Sequence, residues 1–370
     1  MAIPTNLTVG RDGIIRDPDE QSSQLPTMPN DPTPKPTKRV GPFQGYVTPG
    51  NARFLAFAGM FPGADKEAFS ILSNRQENPF APAGELPTIG GTDRRLRKLV
   101  KLEALDPVRD AVARKTVYSL SPLGFGYARE FGYNMDFGAT LHTKAKSRLR
   151  HYRMIAHVAA QFASPAGFFK DLLDVDPVDF NQLITEQQMI AQHKKLMERL
   201  KKQKRNDFGR WRTEEVDRVV AAVKAGKITW EDITEFSPAL RSIGFTTANE
   251  ESMLKPLHQP DLVVELPRSE KGGSNSLLVE VELSKKPWDD YHRILATLKE
   301  ELKQPFMYKR CVYFTIGNEI PNILKKVNAA GEYGLIESGK LVILPIRDRE
   351  GTPLANKKDE YADRVIIGGN

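Results

Sequence analysis

Two short apolar runs with carboxylates set inside them constrain this chain most. Gln259-Pro260-Asp261-Leu262-Val263-Val264-Glu265 is followed, after a polar loop, by Leu277-Leu278-Val279-Glu280-Val281-Glu282-Leu283. Apolar, β-branched stretches of this length, bounded by turn residues, read as strands, and a hairpin between them brings Asp261 near Glu280. Side chains alternate along a strand, so Leu278, Glu280, Glu282 and Ser284 share one side and Val279, Val281 and Leu283 face the core. An amphipathic strand with its acids paired to neighbouring lysines accounts for this pattern, and so does a pair of carboxylates gathered for chemistry.

The chain has 370 residues, enough for two domains of ordinary size. A formal net charge of +7 favours a polyanionic partner such as DNA, RNA or an acidic membrane face. No window approaches the roughly 18 apolar residues of a membrane span. The first residues lack a charged-then-apolar signal pattern, so a cytoplasmic protein without a membrane partner is expected. The single cysteine, Cys311, sits in the apolar run Cys311-Val312-Tyr313-Phe314 and reads as a small buried hydrophobe. No phosphate-cradling Gly-rich loop, Gly-x-Ser-x-Gly elbow or zinc-spaced Cys/His cluster occurs, which argues against an ATPase, a serine hydrolase and a zinc finger.

An α+β multidomain chain is expected. Residues 1–46, rich in proline, read as a disordered tail ending in the basic Pro34-Lys35-Pro36-Thr37-Lys38-Arg39. Residues 47–135 read as a winged helix-turn-helix. Its helices are Asn51 to Gly59, Ala64 to Leu72, and Asp93 to about Leu105 capped by Thr92. A basic loop from Pro107 to Lys115, a strand Thr116–Leu120 and a helix opened by Ser121-Pro122 complete it. On the third helix Leu96, Leu99 and Val100 form the buried stripe, while Arg94, Arg97, Lys98 and Lys101 recur at helical spacing on another face. Residues 136–245 read as a basic helical linker or insertion. It holds a helix through Lys144, Lys146, Arg148, Arg150 and Arg153, a long helix over 178–205, and a hairpin with Thr213, Gly226 and Thr229 at its boundaries. Residues 246–350 carry the acidic strands, a helix from Trp288, a strand Cys311–Ile316, a helix from Ile320 and a strand Leu341–Ile346; 351–370 are a tail. The tryptophans at 211, 230 and 288 read as core anchors.

This order of features is a recognisable one. A basic helix and wing, then Val117-Tyr118-Ser119-Leu120-Ser121-Pro122-Leu123-Gly124, then Leu149-Arg150-His151, then Pro260-Asp261 with Glu280-Val281-Glu282, resembles the replication-relaxation family of plasmids, phages and other mobile elements. The resemblance covers roughly residues 48–160 and 255–346. It implies a winged helix fused to a restriction-endonuclease-like, PD-(D/E)xK-type domain with a part in element replication or transfer. It further implies Asp261 and Glu280 as ligands of Mg²⁺, the ion that would polarise a phosphate and generate hydroxide. The motif's lysine position holds Glu282, so Lys285 or Lys286 would have to assist.

The reading is therefore a double-stranded DNA-binding protein of a phage or mobile element, with a nuclease-like domain that has lost its activity. Arg94, Arg95, Arg97, Lys98 and Lys101 are the candidates for the major groove, and Arg109, Arg114 and Lys115 for the wing. Lys144, Lys146, Arg148 and Arg150 extend the footprint along the backbone. Replication or transfer proteins and a second copy of the chain are further possible partners. The alternatives are a Mg²⁺-dependent endonuclease using Asp261, Glu280, Glu282 and Lys285, and a phage structural or packaging protein.

Overall fold

The computed structural model describes residues 8–9, 15–16, 38–40, 45–73, 89–110, 113–135, 141, 148–205, 208–242, 259–269, 273–303 and 306–354. The chain is an α+β protein. Most of the proline-rich tail lies outside the described residues. Within it, β1 (Thr8–Val9) pairs antiparallel with β2 (Ile15–Arg16), and β3 (Lys38–Val40) with β4 (Gly45–Val47).

Three helices and a hairpin follow. The Thr48 side chain accepts from the Asn51 amide and Pro49 sits at the first position of α1 (Pro49–Met60), so the helix starts where an unpaired amide costs least. After the short strand β5 (Ala64–Asp65), Asp65 caps α2 (Lys66–Leu72) by accepting from the amides of Glu67 and Ala68. The third helix, α3 (Ile89–Lys101), begins upstream of Thr92, which is buried within it instead of capping it. The expected basic loop is largely a strand: β6 (Leu105–Asp110) pairs antiparallel with β7 (Lys115–Leu120), which also pairs with β5. Asp110 Oδ1 accepts from the Ala113 amide to close the turn, and Arg114 takes up the left-handed conformation there. Ser121 then caps α4 (Pro122–Glu130).

The expected connector is instead a central packing element. The helix α5 (Leu149–Phe162) buries Arg153 to Phe162 almost continuously, because it lies against α2 and β5 on one side and the large sheet on the other. The short helix α6 (Lys170–Leu173) and a 3-10 turn (Phe180–Gln182) lead into β8 (Leu183–Thr185). The long helix expected over 178–205 is thus divided. Its first part supplies an edge strand, and only Glu186–Lys202, capped by Thr185 and Gln188, is helical as α7.

The insertion continues with α8 (Phe208–Lys224), which ends before Gly226 at φ 68°, and the short α9 (Ile233–Phe236). Then come β9 (Leu262–Val264), β10 (Leu277–Glu282), α10 (Trp288–Glu301), β11 (Arg310–Thr315), α11 (Glu319–Ala330) and β12 (Leu341–Pro345). The sheet order is β12-β11-β10-β9-β8, antiparallel from β8 to β10 and parallel from β10 to β12.

Each face of this sheet has its own core. Val279, Val281, Val312 and Phe314 pack towards α5 and the N-terminal helices in one cluster that reaches Phe54 and Leu99. Phe162 lies 4.3 Å from Phe169, and Phe169 5.4 Å from Phe314, between ring centroids. The other face, with Val263, Leu278 and Tyr313, is covered by α10, α11 and the inserted helices through Leu196, Leu200, Trp211 and Leu240. Polar ties hold the insertion down: Arg241 makes a two-pronged contact with Glu265, and Arg212 donates to Glu301 at 2.6 Å. The inserted helices therefore complete a core that the sheet could not close alone.

Gly124 marks the tightest helix contact. A Cβ there would lie 2.1 Å from the Ala104 carbonyl oxygen, a backbone atom that cannot step aside. Alanine usually stabilises a helix by about 1 kcal/mol over glycine. Here Gly124→Ala should destabilise by roughly 1–3 kcal/mol through overpacking, read as a lower urea midpoint; an unchanged or raised midpoint contradicts this packing.

Candidate nucleic-acid interface and carboxylate site

The outer face of α3 carries Arg94, Arg97, Lys98 and Lys101 exposed, while Leu96 and Leu99 are buried. Arg97 is held by Asp93 at 2.6 Å, one turn earlier. Arg95 departs from the expected face: its guanidinium lies over the Phe54 ring at 4.9 Å, so it packs the helix instead of projecting from it. On the hairpin Arg109 and Arg114 are exposed. Lys115 is not free to meet a ligand in the same way, because its ammonium reaches back to Glu67 at 2.9 Å and towards Asp65 at 3.8 Å.

Lys144 and Lys146 lie outside the described residues. Arg148 is exposed at the start of α5, near the Tyr152 ring, and Arg150 is half-buried. The rest of α5 faces inward, with two charged ties that sequence reasoning missed. Asp65, fully buried, receives His157 Nε2 at 2.9 Å and lies 3.6 Å from Arg153. Burial alone would raise the Asp65 pKa. The charge and hydrogen bond of His157, the charge of Lys115 and the Ala68 amide outweigh it and hold the carboxyl well below the usual range.

The second tie is at the acidic strands. The register pairs Val279 with Leu262, which sets Asp261 beside Glu280 as expected of the hairpin. Asp261 Oδ2 accepts from the Val281 amide at 2.8 Å, and Oδ1 meets His151 Nε2 at 2.9 Å. Glu280 and Glu282 do not lie on a solvated face. They are 4% and 7% exposed, because β10 is the middle strand and helices cover both of its faces. They share a side with Leu278, opposite Cys311, Tyr313 and Thr315 of β11. Burial first, and then the Glu280 charge, push the Tyr313 hydroxyl and the Cys311 thiol up, so Cys311 is the inert buried thiol its surroundings suggested.

Lys285, expected to assist the carboxylates, is exposed and turned to Glu319 at 3.4 Å. Its neighbour Lys286 folds back onto Glu282. Burial lowers the Lys286 pKa, but the bond and charge of Glu282, aided by Glu280, win and raise it. The i, i+4 spacing from Glu282 was the available signal for this pair.

Both Asp261 oxygens are engaged, and the positive charge beside Glu282 comes from Lys286. Among the described residues, the one group of three possible ligands within 4.8 Å is Asp65, Glu67 and His157, and there the Lys115 ammonium already supplies the cation. No helix among the described residues is long and apolar enough to cross a membrane. Comparison with known proteins found no match to a family model, a curated protein or a solved structure.

His151 gives this arrangement a pH signature. Burial lowers its pKa, while the hydrogen bond and charge of Asp261, with the Glu186 charge, raise it beyond that loss. A raised folded-state value means stabilisation that is full below the unfolded value of about 6.5 and lost as pH rises through the folded one. An NMR titration should place His151 above about 6.5 in the native chain and lower in Asp261→Asn; the same midpoint in both proteins contradicts the pairing.

Proposed function

We propose that the protein binds double-stranded DNA, with α1, α2, α3 and the β6–β7 hairpin acting as a winged helix and the large sheet as a restriction-endonuclease-like domain that does not cut. The observation that carries this reading is the exposed cationic face of α3, Arg94, Arg97, Lys98 and Lys101, standing next to a hairpin that presents Arg109 and Arg114. A helix of this kind fits the major groove, where guanidinium groups can read base edges, while the hairpin meets phosphates. The strand order from β8 to β12, with α10 and α11 crossing between parallel strands, agrees with the nuclease-like core that the replication-relaxation resemblance implies. Two observations favour binding without cutting: Asp261 is engaged by His151 and a backbone amide, and Glu282 is neutralised by Lys286. A role in replication, transfer or regulation of a phage or other mobile element follows from the resemblance and from the DNA reading together.

Charge reversal tests it. Arg94→Glu with Lys98→Glu removes two phosphate or base contacts, and each is worth about one in the slope of log K against log salt. Anisotropy titrations of a labelled duplex should show salt-sensitive binding in the native chain and at least about tenfold weaker binding in the variant, since each reversal removes an attraction and adds a repulsion. Full affinity in the variant overturns the assignment of α3. Incubated with supercoiled plasmid and Mg²⁺, the native chain should shift it without nicking; nicking that disappears in Asp261→Ala would make the protein a nuclease.

A further inference from the structure

The second half of α7 carries a charge imbalance that the surrounding helices do not share. From Lys194 to Arg205 there are seven lysines and arginines and one acid, Glu198. Leu196 and Leu200 anchor this part of the helix in the core, so its remaining surface is turned outward. Lys194, Lys201 and Lys202 are exposed, as is Lys204, held left-handed at φ 54° just past the helix end. These four ammonium groups make no ion pair with any described residue. At 100° per residue Lys194, Lys195, Glu198, Lys201 and Lys202 fall within about a third of the helix circumference.

On the neighbouring helices α8 and α10 several exposed cations are paired with acids. On α8, Arg210 pairs with Glu214 and Arg218 with Glu215; on α10, Arg293 pairs with Asp290 and Lys303 with Glu300. Compensation of the helix dipole explains cations in the last turn, but it does not extend to Lys194, two turns earlier. The face also lacks the apolar rim with which a membrane-surface helix inserts; the exposed Ile190 lies in the other half of α7.

We propose that this face is a second polyanion-binding surface and that its occupant is the sugar–phosphate backbone of duplex DNA. It rests on the DNA-binding reading above. It would add affinity independent of sequence, each lysine displacing condensed counterions, while α3 supplies any preference among sites.

The test compares the full chain with Lys194→Ala/Lys201→Ala/Lys202→Ala and, separately, with Glu198→Lys. Anisotropy titrations on one labelled duplex at several salt concentrations give the slope of log K against log salt. The triple variant should lower the slope by about 2–3, and Glu198→Lys should steepen it by up to about 1. Glu198→Lys gains a function, so misfolding cannot imitate the expected result. Native slopes in both variants, in a chain whose binding still depends on Arg94 and Lys98, overturn this surface alone. A native chain without salt-sensitive DNA binding overturns the reading it rests on. Vesicles of phosphatidylserine and phosphatidylcholine provide the contrast: loss of vesicle binding in the triple variant, with DNA slopes unchanged, would assign the face to membranes and overturn the proposal.

Discussion

The buried carboxylate of Asp65 is the point on which the two halves of the molecule turn. It does three jobs at once: it caps α2, it receives His157 and approaches Arg153 of α5, and it lies within reach of Lys115 beside the turn of the hairpin. Removing one partner from a buried charge cluster leaves the rest uncompensated and costs on the order of 3–5 kcal/mol. The cluster therefore fixes α5 against the N-terminal helices in one orientation. On the far side of the same helix His151 bonds Asp261 of the sheet. A single helix is thus tied by polar pairs to both halves, and its apolar residues join the N-terminal helices and one face of the sheet in one cluster.

The acidic strands also hold the architecture together. Asp261 spans from β10 to α5, and Glu282 takes Lys286 at the turn into α10. The large sheet shares a core with the N-terminal helices and is covered on its other face by the inserted helices; under the proposed function it is the platform that carries the cationic faces of α3, the hairpin and α7.

Much of the fold was legible in the sequence, and the failures have physical causes. The Ser121-Pro122 start and the order of strands and helices after residue 259 carry strong local signals, whereas α1 begins at Pro49, two residues before the Asn51 expected. Leu183-Ile184-Thr185 was read as helix because three apolar or β-branched residues fit a helical stripe as well as a short edge strand. Glu280 and Glu282 were placed on an outer face because alternation implies a sheet with one side in water; a middle strand covered on both faces breaks that rule. Trp288, expected in the core, is 44% exposed at the start of α10. The site partners His151 and His157 carried no pattern of their own, since their meaning comes from carboxylates about a hundred residues away.

If α5 makes one cooperative body of the N-terminal helices, the hairpin and the sheet, the two halves unfold together. All three tryptophans lie at or beyond residue 211, so their fluorescence reports on the C-terminal half. Urea unfolding of Asp65→Ala, followed by tryptophan fluorescence and by far-ultraviolet circular dichroism, tests the claim directly. One transition is expected, with both signals shifted to the same lower midpoint. A tryptophan midpoint left at the native value, with a second, earlier transition in circular dichroism, would contradict it.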